Sequence, residues 1–142
     1  HQYLTAALIV ISENGDALYA SGGHCPAVLI GKSDIRLVSS AGSILGAMRE
    51  APVAIEEIPV EIKSGDRLLL YTDGITEARH NRENFGMDRL RQICAEVGQE
   101  DGETFLDSVL SAVSRFAQKA DPDDDISLLL LEHTAGVPVR NE

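Results

Sequence analysis

The sequence predicts a β-rich α+β domain, and three observations carry that reading. The first half is a series of short apolar runs of strand length, separated by turns of Gly, Asn and Asp. Two apolar stripes at helical spacing follow, and a last apolar run closes the domain. With 142 residues, 44% of them hydrophobic and 25% charged, the chain has the size and mix of one globular unit. Aromatic residues make up only 4% and Trp is absent, so the core must be aliphatic.

Tyr3 to Ser12 is an apolar, β-rich run closed by Glu13-Asn14-Gly15-Asp16, whose Asn-Gly centre favours a tight hairpin turn into Ala17 to Ser21. Gly22-Gly23-His24-Cys25-Pro26 is a loop by composition. Ala27 to Gly31 and Ile35 to Val38 form a second hairpin around Lys32-Ser33-Asp34. Gly42 to Gly46 reads as a glycine-bounded loop. Val53 to Ile62 alternates imperfectly, and Pro59, which lacks an N–H to donate, argues for an edge strand. Ser64-Gly65-Asp66 turns the chain into Arg67 to Thr72.

The period then changes from two to about 3.6 residues. Met87, Leu90, Ile93, Cys94 and Val97 lie on one helical face, with Gly98 placed to end the helix. Phe105, Leu106, Val109, Leu110, Val113, Phe116 and Ala117 form a second stripe, which should pack on the sheet, while Glu103, Asp107 and Lys119 face elsewhere. Ile126 to Glu132 is the last strand. The expected organisation is one domain over residues 1–134 and a solvated tail over 135–142.

A formal net charge of −11 disfavours nucleic acid and anionic membranes, because binding to phosphate backbones needs clustered Lys and Arg. Divalent cations and basic protein surfaces are better partners. The longest apolar stretch, Leu4 to Ile11, falls far short of the roughly 18 residues a membrane span needs. Cys25 and Cys94 have no metal-ligand spacing and read as free thiols in a reducing, cytoplasmic setting. His1-Gln2 offers no signal peptide. Methionine occurs only at Met48 and Met87, so the chain reads as cut from something longer.

The candidate site begins with Leu69-Leu70-Tyr71-Thr72-Asp73-Gly74. An apolar strand there ends abruptly in a carboxylate, and the following glycine permits a sharp turn and close approach of a ligand. A second acidic cluster, Asp121-Pro122-Asp123-Asp124-Asp125, opens the strand from Ile126. Each has a plainer reading: Asp-Gly stabilises turns through local side-chain bonds, and charge runs are usually solvated. Their joint appearance at the ends of two apolar runs favours a shared hard cation, such as Mg2+ or Mn2+, bound by oxygen ligands. His24 could be a ligand, a general acid or a turn residue. No Ser/His/Asp or Cys/His constellation can be built, and His24 and Cys25, adjacent on an extended segment, point apart.

Taken in order, these segments resemble one family. They are Tyr3-Leu4-Thr5-Ala6, Tyr19 with Gly23-His24 and Pro26, Gly42 with Leu45-Gly46, and the run from Ser64 to Ala78 containing Tyr71-Thr72-Asp73-Gly74-Ile75-Thr76-Glu77. Phe85-Gly86 with Arg89-Leu90, then Asp124-Asp125-Ile126-Ser127, complete the set. The chain resembles the SpoIIE/RsbU-type serine phosphatases of the metal-dependent PP2C group.

That resemblance implies an antiparallel β-sandwich flanked by helices, and a pair of Mn2+ or Mg2+ ions that activate a water against phosphoserine or phosphothreonine. By motif position Asp73 and Asp124 would bind metal, Gly74 would keep the ligand loop tight, and Asp125 would orient the site from behind. Thr5 and His24 match family positions as substrate-side or structural residues. The implied substrate is a phosphoprotein of the anti-sigma-factor antagonist type, and the further partner is open between a homodimer, a missing N-terminal segment and a sensor domain.

The departures bear on activity. The family carries an earlier Gly-Asp pair whose Asp bridges both metals, and nothing before Tyr3 supplies it. The chain therefore matches about the C-terminal two-thirds of a catalytic domain, with the N-terminal part of the fold missing. Weak metal binding, little hydrolysis, unpaired sheet edges, uncovered helix faces and self-association are the expected consequences. Ser43-Ile44 stands where the family usually has Pro, and Cys25 where Asn is common. The alternative function is a non-catalytic interaction module that keeps the fold without the chemistry; a plain calcium-binding domain fails because the acidic loop spacing is absent.

Overall fold

A computed structural model describes residues 2–47, 54–118 and 124–134. Among these residues the strands are β1 (Ala6–Ile11), β2 (Asp16–Gly22), β3 (Ala27–Ile30), β4 (Ile35–Val38), β5 (Glu57–Glu61), β6 (Arg67–Tyr71), β7 (Arg79–His80), β8 (Glu83–Asn84) and β9 (Leu128–Glu132). The helices are α1 (Gly86–Val97) and α2 (Gly102–Ala117). Neighbouring strands run antiparallel in two main sheets, one ordered β1-β2-β5 and the other β4-β3-β6-β9.

Alternation along the strands explains the layering. Ala17 and Tyr19 of β2 meet Ala27 and Leu29 of β3 and Leu68 of β6 in one buried cluster, which joins the two sheets as a sandwich. The intervening residues, Val28, Ile30, Leu69 and Tyr71, face the other way and pack against Leu90 and Cys94 of α1 and Phe105, Val109 and Val113 of α2. β3 is thus buried on both faces, as its unbroken apolar run requires. Leu69 is fully buried, and truncating such a side chain to Ala costs about 2–5 kcal/mol.

The turns follow from local chemistry. Gly15 has φ +89°, a left-handed conformation in which a side chain is strained, and a Cβ there would stand 2.2 Å from the carbonyl oxygen of Ile62. Pro59 lies on β5, an edge strand of its sheet. Arg67 ties the helical layer to the sheet: its guanidinium donates to the carbonyls of Gly98 (3.1 Å) and Glu100 (2.5 Å), just past α1, and pairs with Glu132 at 2.8 Å.

Three expectations change. The residues between Ala78 and Phe85 form a short hairpin, β7–β8, that no periodicity announced. The uncovered apolar surface lies mainly on a sheet face, with Leu8 and Val10 of β1 and Leu18 of β2 exposed side by side, whereas the helix stripes are largely packed. The first strand starts at Ala6, because Leu4 makes only an isolated bridge to Leu45. The tail over 135–142, Lys119, Val53 and the Asp121-Pro122-Asp123 part of the acidic cluster lie outside the described residues.

Candidate metal centre

β6 and β9 are neighbours in the four-stranded sheet and pair antiparallel, with Tyr71 opposite Leu128. The end of one strand and the start of the other therefore share one edge of the sheet. Asp73 follows β6 and Asp124 and Asp125 precede β9, so topology brings together carboxylates about fifty positions apart in sequence.

Thr72 fastens the junction. Its N–H donates to the Ser127 carbonyl at 3.1 Å, its hydroxyl donates to the Asp125 carbonyl at 2.9 Å, and the same oxygen accepts from the Ser127 N–H at 2.9 Å. After Asp73 the chain turns tightly: the Glu77 N–H donates to the Asp73 carbonyl at 2.7 Å, and Ile75, fully buried, anchors the turn. A Cβ on Gly74 would stand 2.7 Å from the Asp125 carbonyl oxygen, closer than real carbon–oxygen contacts allow, so only glycine lets the two loops touch.

The Asp73 side chain is exposed and makes no hydrogen bond among the described residues. One oxygen of Asp124 accepts from the Asp125 N–H at 2.8 Å, and the other makes no hydrogen bond among the described residues. Gly74 and Asp124 line a cavity of about 290 Å3 together with Glu77, Ala78 and Arg79; Asp73 stands one residue from its edge. A larger cavity of about 490 Å3 lies between the β3–β4 turn and α1. It flanks Ile30, which pairs with Arg67 at the other end of β6.

His24 and Thr5 come together, with the Thr5 hydroxyl 3.1 Å from His24 Nδ1. The His24 backbone is held by Ser21, whose Oγ accepts from its N–H at 3.1 Å and donates to its carbonyl at 3.3 Å. The next residue, Cys25, faces the acidic edge: partial burial pushes its thiol up, and the Asp73 and Glu77 carboxylates push it further. A thiol held protonated is a poor nucleophile. Cys94, buried under the helices, is pushed up to about 12 by loss of water. Both cysteines are free.

Exposed carboxylate and carbonyl oxygens at one strand edge suit a hard divalent cation. Asp73 and Asp124 fit that donor chemistry, while among the described residues no group of three or more His, Cys, Asp and Glu is arranged around one point. Sequence reasoning missed Arg79 and Glu77 as cavity walls. The available signal was the charge reversal at Glu77-Ala78-Arg79, directly after the Asp73-Gly74 turn.

A helix-covered β-sandwich with acidic loops at one sheet edge defines the PP2C type of phosphatase fold, and solved structures share it. The phosphatase domain of the cell fate determinant SpoIIE from Bacillus subtilis superposes with a TM-score of 0.69 at 20% identity, over 94% of this chain and 58% of that one. The SiaA-PP2C domain of Pseudomonas aeruginosa gives 0.77 at 14% identity, over 90% and 51%. The RsbU and RsbW domains of Rv1364c from Mycobacterium tuberculosis give 0.70 at 22% identity, over 94% and 38%.

The family model for Stage II sporulation protein E matches residues 1–134, and the chain belongs to that family. Among curated proteins, Protein IcfG of Synechocystis sp. is 30% identical over 86 residues, which are 59% of this chain and 13% of that protein. The chain thus spans a minor part of this relative and less than two-thirds of each of the three structures named. No helix among the described residues is long and apolar enough to cross a membrane.

Proposed function

We propose that the chain forms part of a metal-dependent protein phosphatase domain that hydrolyses phosphoserine or phosphothreonine on a regulatory protein. The observation that carries this reading is the antiparallel β6–β9 pair, which sets Asp73 and Asp124 at one edge with Thr72 joining their loops. Family membership supports it.

In this reading Asp73 and Asp124 hold Mn2+ or Mg2+. When bound, such ions lower the pKa of water and offset the charge of the phosphoryl oxygens. Gly74 admits the Asp125 carbonyl to within touching distance of the ligand turn, and Asp125 braces that turn by accepting from Thr72. Thr5 and His24 steady the neighbouring loop. The substrate class implied by the RsbU resemblance is an anti-sigma-factor antagonist, in a cytoplasmic pathway.

The full-length gene product should release phosphate from a phosphoserine protein in a Mn2+-dependent manner, and Asp73→Asn should reduce the rate by on the order of a hundredfold or more. Mn2+-independent or unchanged turnover in that variant would refute the assignment.

A further inference from the structure

The cavity beside Asp124 has one basic side chain among the described residues that line it, and nothing in the metal reading uses it. Arg79 opens β7, directly after the turn that Asp73 and Gly74 begin, and shares the cavity wall with Glu77 and Asp124. Its Nε donates to Asn84 Oδ1 at 3.3 Å, across the β7–β8 pair that sets Arg79 opposite Asn84. Its Nη1 and Nη2 make no hydrogen bond or ion pair among the described residues. One edge of the guanidinium is thus fixed by the hairpin, and the outer fork is free.

The hairpin that carries this fork is braced. Arg89 Nη1 donates to the carbonyls of Asn84 (3.0 Å) and Phe85 (3.1 Å), its Nη2 pairs with Glu83 at 3.2 Å, and its guanidinium lies 4.5 Å above the Phe116 ring of α2. Phe85 and His80 meet the same ring edge-on. Such bracing is needed if a flexible arginine is to present a fork in one orientation, since ordering a free side chain costs entropy.

We propose that Arg79 is a substrate-positioning residue whose free Nη edge receives two oxygens of the phosphoryl group. The proposal rests on the phosphatase reading above. A phosphate dianion entering this cavity meets the carboxylates of Glu77 and Asp124, which repel it. Metal ions at Asp73 and Asp124 offset part of that charge, and Arg79 supplies a further cation with the planar, two-pronged geometry that phosphate oxygens accept. Glu77, facing the same space, bounds how far the phosphoryl group can lie from the arginine.

The test uses the full-length gene product with Mn2+, a phosphoserine peptide as substrate and inorganic phosphate as binding probe. Arg79→Ala should raise KM for the peptide and the Kd for inorganic phosphate by about tenfold or more, as loss of a charge-assisted contact requires, with kcat changed by less than about threefold and Mn2+ affinity unchanged. Arg79→Lys should recover part of the loss, because the charge remains without the fork. Asn84→Ala, which keeps the guanidinium but frees its Nε, should weaken phosphate binding by less than Arg79→Ala. Equal KM and phosphate affinity in Arg79→Ala and wild type would overturn the proposal while leaving the phosphatase reading intact. Absence of Mn2+-dependent hydrolysis in the wild type would instead overturn both. Altered Mn2+ affinity in Arg79→Ala would place Arg79 in the metal site and contradict the role proposed.

Discussion

A methyl group at position 74 would stand 2.7 Å from the Asp125 carbonyl oxygen and 3.2 Å from Ile126 Cγ1. Neither neighbour can retreat easily, since that carbonyl already accepts from Thr72 at 2.9 Å. Gly74→Ala should therefore destabilise the fold by about 1–3 kcal/mol, the cost of forced overpacking, and should pry the Asp73 turn from the Asp124 loop. Thermal unfolding and Mn2+ titration of the variant measure the two effects separately; a variant with wild-type Tm would show that the loops need not touch.

The places of Asp73 and Asp124 at strand ends were legible in the sequence because each sits where an apolar run stops or starts, and a strand end is a place a carboxylate can reach solvent. Arg79 was not. A two-residue strand has no period to detect, and the turn at Asn81, with φ 56°, uses a residue whose left-handed tolerance is visible only once the hairpin is known.

Among the elements, the helices matched their pattern closely. α1 ends at Val97 with Gly98 beyond it, as the apolar stripe and the glycine imply. α2 begins where Asp101 caps it, its Oδ1 accepting from the Thr104 N–H at 3.0 Å and its Oδ2 from the Thr104 hydroxyl at 2.5 Å. The strands were legible in existence but longer in expectation than in fact: β5 leaves out Ala54 to Glu56, and β9 runs from Leu128 rather than Ile126. Strand ends are decided by pairing partners, and those lie far away in sequence. Ile126 belongs to the loop that Thr72 holds, so its apolar character serves packing beside Gly74 and not the ladder.

The cap carries a pH prediction. Hydrogen bonds from Thr104, first its hydroxyl and then its N–H, hold the Asp101 carboxyl below its ordinary value near 3.8. A carboxylate with a lowered folded-state pKa stabilises the fold fully above its unfolded value, and the contribution is lost as pH falls through the folded one. Asp101→Ala should thus lower Tm at neutral pH, and the gap to wild type should close in strong acid below the unfolded value. A gap independent of pH between 7 and 2 would mean that the charge of Asp101 contributes nothing to the cap.

In the molecule as a whole, α1 and α2 cover the outer face of the four-stranded sheet, and among the described residues no helix covers the three-stranded one. Leu8 is 63% exposed and Val10 59%, and with Leu18 opposite Val10 they make a contiguous apolar face. Isolated exposed leucines are ordinary, whereas a contiguous sheet face of this kind favours association. The 142-residue chain should self-associate at micromolar concentration, and Leu8→Lys combined with Val10→Lys should return it to the mass of one chain by light scattering. A wild-type chain already monomeric under those conditions would contradict this.

In the proposed reading Asp73 and Asp124, distant in sequence and adjacent by topology, serve one metal centre. A double-mutant cycle on Mn2+ affinity in the full-length protein tests it most directly. Asp73→Asn and Asp124→Asn should each weaken Mn2+ binding by at least about tenfold, and the double variant should be little worse than the weaker single one, because the second ligand has nothing left to complete. Unchanged affinity in either single variant, or losses that simply add as they would at independent sites, would contradict the claim.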